Sequence, residues 1–532
     1  MSATSAMRVP PPRGGVVSRS DIPPVTHPRS VFPLVYRHKS SMNTGKVYPV
    51  LCAEVLPGDT WKARSTILAR LTTLLFPIMD DLWMDMHVFF EPWRLIWDNT
   101  EKFFGQQPNP GDSVAYTIPQ TDSGFTVKGC LTDYMGVTPW NVNAGVMNAL
   151  QVRGYKDIWN KWYRDQNIQN SVAVSTGDGP DAIAGNVPLA RGKRGDRFTR
   201  ALPWPQKGTA VSFLPDNVAV TPSSVGYPTW RNTADTILGQ FRTQAAGTNP
   251  QVQVTGTWGL NDSLLWKAPN LEVDFATLGV ATINGWRMAY ATQGYYERQG
   301  RGGTQYPQYL RRGWGVTSSD ARLQRPEFIA GASRMVMVSP IAQQSATDAA
   351  VSPQGNLSGV GAAFADDFGF VQSFEEHGFL YVMLSFRSDY TYQEGVPRQF
   401  FRRTVFDVAD PAFAHIGDQP IYVKELFWDG SNNTQVFGYE GRYDEYRHGY
   451  SWCSADMRSG AGAASFDAWH LAQEFGTAPT LNSSFIEENP PMDRILAVDM
   501  STSYQWIVDM KFDCQVARCL PLYGVPSMKA VM

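Results

Sequence analysis

Apolar and polar positions alternate with a period of two in several stretches of the chain. Residues 83–90 place Met84, Met86, Val88 and Phe90 on one face, with Asp85 and His87 opposite. Leu380, Val382, Leu384 and Phe386 form a second such face. Tyr504, Trp506, Val508, Met510 and Phe512 form a third, with Gln505, Asp509 and Lys511 opposite. Alternation of this kind predicts β-strands with one buried face. Residues 47–55 add an apolar run that ends at the turn cluster Pro57-Gly58-Asp59. These segments come from both halves of the chain.

Helical spacing is rarer. Tyr155, Ile158, Trp159 and Trp162 follow the i, i+3, i+4, i+7 pattern of one buried helical face. Ile283, Trp286 and Tyr290 predict a second helix, ending near Gly294. Residues 466–475 predict a third, with Trp469 inward, and Pro92 opens a short one carrying Trp93, Ile96 and Trp97. The segments between are turn-rich. Residues 209–271 are the most biased, rich in Thr, Gly, Asn, Gln, Pro and Val. They read as a large inserted loop region with short strands of its own. No internal repeat of 20–50 residues is evident.

The pattern predicts an all-β chain with long excursions and a few short helices. A chain of 532 residues suggests about three to four domains at roughly 150 residues each. A sandwich of eight strands would use only about 45 residues in strands. Most of the chain must lie in loops, and loops beyond about 15 residues usually function or interact. Charged residues are 18% and aromatics 13%, against about 25% charged in an ordinary soluble protein. Loops this rich in Trp, Tyr and Phe need a partner surface to cover the rings, and a neighbouring subunit supplies one.

Composition excludes other classes. The hydrophobic share of 43% argues against disorder throughout. No apolar run approaches 18 residues, so no membrane insertion is expected. The first residues lack an apolar signal region. Five scattered cysteines make no disulfide framework and suit a reducing compartment. The net charge of −3 excludes a globally basic nucleic-acid binder. It hides a strong asymmetry. Residues 1–46 hold Arg8, Arg13, Arg19, Arg29, Arg37, Lys39 and Lys46 against the single acid Asp21, with prolines at 10–12 and 23–24. They read as an extended arm that lies on a partner subunit or on phosphate. The densest internal basic cluster is Arg191, Lys193, Arg194 and Arg197 around Asp196, a candidate grip on phosphates.

No catalytic set emerges, and no cofactor or metal site is expected. The seven histidines include no H-E-x-x-H pair, the cysteines no CxxC pair, and no Gly-x-Ser-x-Gly elbow occurs. Gly177-Asp178-Gly179-Pro180-Asp181 lacks the Lys-Ser/Thr of a phosphate loop, and Pro180 removes an amide donor. A structural turn is expected there. The tripeptide Arg194-Gly195-Asp196 matches a cell-adhesion motif, but three residues recur by chance. Adjacent carboxylates at 80–81, 375–376 and 487–488 would point to opposite faces of a strand and cannot form a glycosidase pair.

A series of stretches carries a family resemblance. They are residues 54–60, 74–80, Phe89-Phe90-Glu91-Pro92-Trp93-Arg94-Leu95-Ile96-Trp97-Asp98-Asn99, 158–167, 177–181 and 201–208. Further on come 315–318, 320–327, 354–357, 411–415 and Phe485-Ile486-Glu487-Glu488-Asn489-Pro490-Pro491. In this order, from about Arg29 to Pro526, they resemble the major capsid protein of the microviruses, tailless icosahedral single-stranded DNA bacteriophages. The gokushovirus branch is nearest. The departures are residues 209–271, which follow no fixed family pattern, and Gly195, where the family pattern suggests a His or similar residue.

The resemblance implies an eight-stranded antiparallel jelly roll with long insertions, forming one domain over 47–532 behind the 1–46 arm. It implies self-assembly into a T=1 icosahedral virion around circular single-stranded DNA, made in the host bacterial cytoplasm. It also implies that the insertion, 209–271, protrudes from the surface. Host attachment there would need a cell-surface receptor, a glycan being one candidate. The small net charge leaves genome neutralisation to another cation source, so a small basic DNA-packaging protein and other minor virion proteins are expected partners. Arg8, Arg13, Arg19, Arg29, Arg191, Lys193, Arg194 and Arg197 are the candidate DNA contacts. The alternative is a carbohydrate-binding jelly roll or a carbohydrate-active enzyme, since jelly rolls also serve as lectin scaffolds.

Overall fold

The computed structural model describes residues 28–122, 127–138, 147–182, 185–211, 283–344, 354–430, 434–460, 466–499 and 503–524, and the backbone of six short strands between 220 and 273. The first half carries β1 (Ser30–Met42), β2 (Tyr48–Val55), β3 (Thr60–Leu71), β4 (Leu82–Pro92), α1 (Trp93–Ile96), α2 (Thr100–Phe103), α3 (Leu131–Tyr134) and α4 (Leu150–Ile158). The six short strands are β5 (Val220–Pro222), β6 (Thr229–Arg231), β7 (Ile237–Thr243), β8 (Val252–Thr255), β9 (Leu265–Trp266) and β10 (Leu271–Val273). Then come α5 (Ile283–Arg301), α6 (Tyr306–Trp314), β11 (Glu327–Met335), β12 (Met337–Ala342), β13 (Leu357–Ser373) and β14 (Gly378–Ser388). β15 (Gln419–Tyr422), β16 (Val436–Glu440), α7 (Ser483–Ile486) and β17 (Trp506–Arg518) complete the order.

Two antiparallel sheets face each other. One has the order β1-β17-β3-β13-β12 and the other β11-β4-β14-β2. Their inner faces share one core, in which Trp61, Ile67, Val508 and Met510 of the first sheet meet Val88, Phe90, Leu380 and Val382 of the second. Phe386 of β14 stacks on Trp506 of β17 at 4.1 Å and 7° between planes, tying the sheets together. The period-two reading holds in detail along β17, where Trp506, Val508, Met510, Phe512, Cys514 and Val516 are buried and alternate with more exposed neighbours.

β4 and β14 are buried on both faces. Phe89, Phe379, Tyr381 and Met383 point away from the shared core into a second one, built with Trp93, Trp97, Tyr155, Ile158 and Trp159. The helical stripe read from 155–162 is therefore correct and covers this outer face. α4 continues into a wider π turn over Trp159–Tyr163. Gly154 is required here, because a Cβ would lie 2.5 Å from the Tyr381 hydroxyl. That hydroxyl donates to the Gln151 carbonyl at 2.6 Å. Pro92 immediately precedes α1 as expected, and the helix ends before Trp97.

Three expectations are corrected. The arm does not extend to Lys46, since Ser30–Met42 pairs residue for residue with β17. Leu34 and Tyr36 pack on the core, and Pro33 is tolerated because β1 is an edge strand. The helix beginning at Ile283 runs past Gly294 to Arg301, and Ile283, Trp286 and Tyr290 are exposed rather than buried. Residues 466–475 hold only a single turn, Asp467–Trp469. The backbone beyond is claimed elsewhere, as Gln473 N–H donates to Thr391 O at 2.8 Å.

Trp204–Gly303 forms a compact unit distinct from the rest of the chain. It is wider than the 209–271 insertion read from composition. Its strands make a two-stranded sheet, β10-β5, and a four-stranded sheet, β8-β7-β6-β9, with α5 in the same unit.

Candidate functional site

The basic cluster sits on a thread of chain, residues 189–202, fixed by backbone hydrogen bonds on two sides. Val47 N–H donates to Leu189 O at 3.0 Å, and Arg191 N–H to Gly45 O at 2.9 Å. Glu488 N–H donates to Arg191 O at 2.8 Å, and Lys193 N–H to Ile486 O at 2.9 Å. Leu202 and Tyr439 exchange bonds at 2.8 and 2.7 Å. The far end is anchored by Phe198, buried with Ile421, Phe437 and Phe485 in a third apolar cluster. The thread therefore staples the second sheet to the β15–β16 hairpin and to α7.

The four cations of the cluster, Arg191, Lys193, Arg194 and Arg197, each have an internal partner, whereas Arg200 near the end of the thread is exposed. Arg191 is buried and pairs with Asp85 of β4 at 3.1 Å, with its guanidinium 5.4 Å over the Tyr163 ring. Arg387 pairs with the same carboxylate at 2.5 Å. Burial pushes the Asp85 carboxyl upward, but the two guanidinium groups outweigh it and hold it below the ordinary range. His87, two residues along, is driven down to about 4 by burial and by Arg191, so it is neutral at physiological pH. It bonds the Tyr163 hydroxyl through Nδ1 at 2.9 Å.

Lys193 is buried with its ammonium 4.2 Å over Phe485 and 4.6 Å over Tyr390. Burial lowers it to about 8, against the pull of Asp196 and Glu488. Glu488 is buried too, and burial raises it to about 7 although Oε1 accepts from Ser388 N–H at 2.7 Å and Ser388 Oγ at 2.9 Å. Arg194 stacks 4.1 Å over Trp83 and pairs with Asp389 at 3.0 Å. Arg197 grips Glu440 with two nitrogens, both at 2.6 Å, and Glu425 at 2.7 Å.

The structure thus places Arg191, Lys193, Arg194 and Arg197 together, but turned inward onto acids and rings. Within the single chain Arg191 and Arg197 are buried or nearly so and ion-paired, and Lys193 is buried over ring faces, so none of the three presents the open phosphate grip expected of it. Of the arm candidates, Arg29 is exposed, with its guanidinium beside Gly58. Arg8, Arg13 and Arg19 lie outside the described residues. Sequence reasoning missed the acids that complete the thread. Asp85 was legible as a polar position on a strand and Glu488 as part of the 485–491 stretch, but Glu425 and Glu440 carried no signal.

The Gly177–Asp181 motif is a structural turn, as expected. Asp178 accepts from Trp97 Nε1 at 2.8 Å and from Asn99 Nδ2 at 3.0 Å. Asp181 takes Arg153 of α4 in a two-pronged bond. Among the described residues no group of three or more His, Cys, Asp or Glu could hold a metal ion, and no helix is long and apolar enough to cross a membrane. All five cysteines are unpaired.

Large apolar side chains lie in the open elsewhere. Val31, Val35, Leu68, Phe364, Val371 and Ile507 are exposed on strands of the five-stranded sheet. Phe400, Val405, Phe406, Ile416 and Trp452 are exposed in the segment that follows β14. Apolar surface on this scale marks interaction sites.

A family model described as Capsid protein (F protein) matches residues 20–528. The chain is similar to the Capsid protein VP1 of Bdellovibrio phage phiMH2K, at 36% identity over 96% of this chain and 97% of that protein. It is similar to Capsid protein VP1 of Chlamydia phage 1, at 34% identity over 96% of this chain and 98% of that protein. It is 31% identical to Capsid protein VP1 of Spiroplasma virus 4, over 95% of this chain and 96% of that protein.

Proposed function

The chain belongs to the capsid protein (F protein) family, and on that premise we propose that copies of it close into a T=1 icosahedral shell around circular single-stranded DNA. It is a structural protein of phage virions and not an enzyme. The observation that carries the shell reading is the family match over 20–528 together with the exposed apolar side chains, which copies of the same chain would cover.

We further propose that the sandwich is a jelly roll. With β12 set aside as an added edge, eight strands remain, and the sheet orders become first-eighth-third-sixth and fifth-fourth-seventh-second. Such interleaving of the two ends of the chain suits two nested Greek keys.

The remaining parts follow from the same reading. The basic N-terminal arm lies on genome phosphate or on a neighbouring subunit. A small basic protein or counterions supply most of the genome's neutralisation, because the net charge of the chain is −3 and Arg191 and Arg197 are spent on internal acids. Residues 209–271 protrude and serve host attachment. Deletion of residues 1–27 should leave shells that protect less DNA from nuclease. Deletion of 209–271 should leave shells that no longer attach to the host. Truncated chains with undiminished DNA protection and attachment would contradict these two assignments.

A further inference from the structure

A cleft of about 390 Å³ opens between the segment 398–407 and the β15–β16 hairpin with the turn that follows it. That volume falls in the range of about 300–1,000 Å³ typical of small-ligand sites. Its walls combine ring faces from Phe401, Phe406, Tyr422 and Tyr443 with four cations, Arg398, Arg402, Lys424 and Arg442.

The charges in the cleft do not cancel. Glu445 occupies Arg402 at 3.5 Å and Arg398 at 3.9 Å. Asp407 is turned onto its own chain, accepting from Arg403 N–H at 3.0 Å, Thr404 N–H at 2.8 Å and Thr404 Oγ1 at 2.9 Å. Among the described residues, Lys424 and Arg442 have no carboxylate partner. The Lys424 ammonium rests 4.1 Å over Phe401 and 5.1 Å over Tyr422. The Arg442 guanidinium lies 4.8 Å over Tyr443, and its Nε is buried without a hydrogen-bond partner. Arg402 Nε is unpartnered in the same way.

Tyr443 adds a second sign of a built site. It holds φ at 62°, the left-handed region that side-chain-bearing residues rarely occupy. Strain of this kind persists where the surroundings demand it, often at a binding site. Phe406, on the opposite wall, is 66% exposed and unspent on any core.

Cations without acid partners, set among ring faces, match a ligand with both a negative group and a flat aromatic ring. A bare anion would leave the rings unused, and a neutral sugar would leave the cations unused. We propose that this cleft binds a nucleoside phosphate, with Lys424 and Arg442 on the phosphate and Phe406 against the base. The recognition lies within one chain, so it stands or falls separately from shell closure.

The test is calorimetric titration of the full chain with deoxyadenosine 5′-monophosphate, deoxyadenosine and inorganic phosphate. Anisotropy of a labelled oligodeoxyadenylate is measured in parallel at several salt concentrations. The nucleotide should bind about tenfold or more tightly than either fragment. The Lys424→Gln/Arg442→Gln double variant should lose about tenfold in affinity, and its salt slope on the oligonucleotide should fall by about 0.7 per cation removed. Phe406→Ala, at an exposed position, should keep phosphate binding but lose the preference for the nucleotide. A strand that binds much more tightly than the mononucleotide identifies polymer as the ligand, and equal affinity identifies free nucleotide. Unchanged affinity and salt slope in the double variant, with an unchanged melting temperature, would overturn the proposal. So would phosphate that binds as well as the nucleotide.

Discussion

The Arg153 guanidinium grips the Asp181 carboxylate with two parallel bonds, Nε to Oδ2 at 2.6 Å and a terminal nitrogen to Oδ1 at 2.7 Å. Its remaining terminal nitrogen donates to Ile96 O at 3.1 Å and Gly177 O at 2.8 Å. One buried side chain thereby fixes α1, α4 and the Gly177–Asp181 turn against the outer face of the second sheet. Arg153→Met would leave Asp181 and two carbonyls unsatisfied. A loss of about 3–5 kcal/mol in unfolding free energy is expected, read by denaturant titration.

Arg197 joins the 189–202 thread to the β15–β16 hairpin through Glu425 and Glu440, both almost fully buried. Arg197→Ala leaves the two buried carboxylates only the longer contacts of Arg398, at 3.5 and 3.6 Å, and should cost about 3 kcal/mol. Arg197→Lys should not restore the loss, because an ammonium cannot reproduce the two-pronged bond to Glu440. Thermal melts of the three proteins check this order.

Glu488 gives the junction a pH dependence whose sign is fixed. Its folded value, about 7, lies above the ordinary 4.5. Its contribution is therefore complete below about pH 4.5 and is lost as pH rises through about 7. Arg387, Lys193, Ser388 and Tyr390 face the same carboxyl, and Lys193, lowered to about 8, changes charge only at higher pH. Glu488→Gln should flatten the fall in melting temperature between pH 5 and pH 7.5. An equally steep fall in the variant would refute the assignment.

Gly45 holds φ at 84°, and a Cβ there would fall 2.0 Å from Glu488 O. Its N–H donates to Phe386 O at 2.9 Å, so it sits where β14, the thread and the Glu488 segment meet. Gly45→Ala combines an unfavourable φ with a backbone clash. It should destabilise the chain by more than about 1–2 kcal/mol, measurable as a lowered denaturation midpoint with unchanged slope.

The sandwich was legible because its strands obey a period of two. Val508, Met510 and Phe512 alternate cleanly, as do Met84, Met86 and Val88. The outer helix was legible because Tyr155, Ile158 and Trp159 share a 3.6-residue stripe. β1 was hidden by Pro33 and by its basic outward residues, which resemble a solvated arm. α5 was cut short at Gly294, yet one glycine costs a helix only about 1 kcal/mol. The cations of the thread were legible as charge, but their fate was not. Glu425 and Glu440 lie 228 and 243 positions from Arg197, and only the folded chain brings them together.

The central claim is that copies of this chain close on themselves. Cryo-electron microscopy of the expressed full-length protein tests it most directly. The account predicts closed particles of T=1 icosahedral symmetry, with the exposed residues of the five-stranded sheet or of the 400–452 segment buried between subunits. A population of monomers, with those side chains still open to solvent, would contradict it.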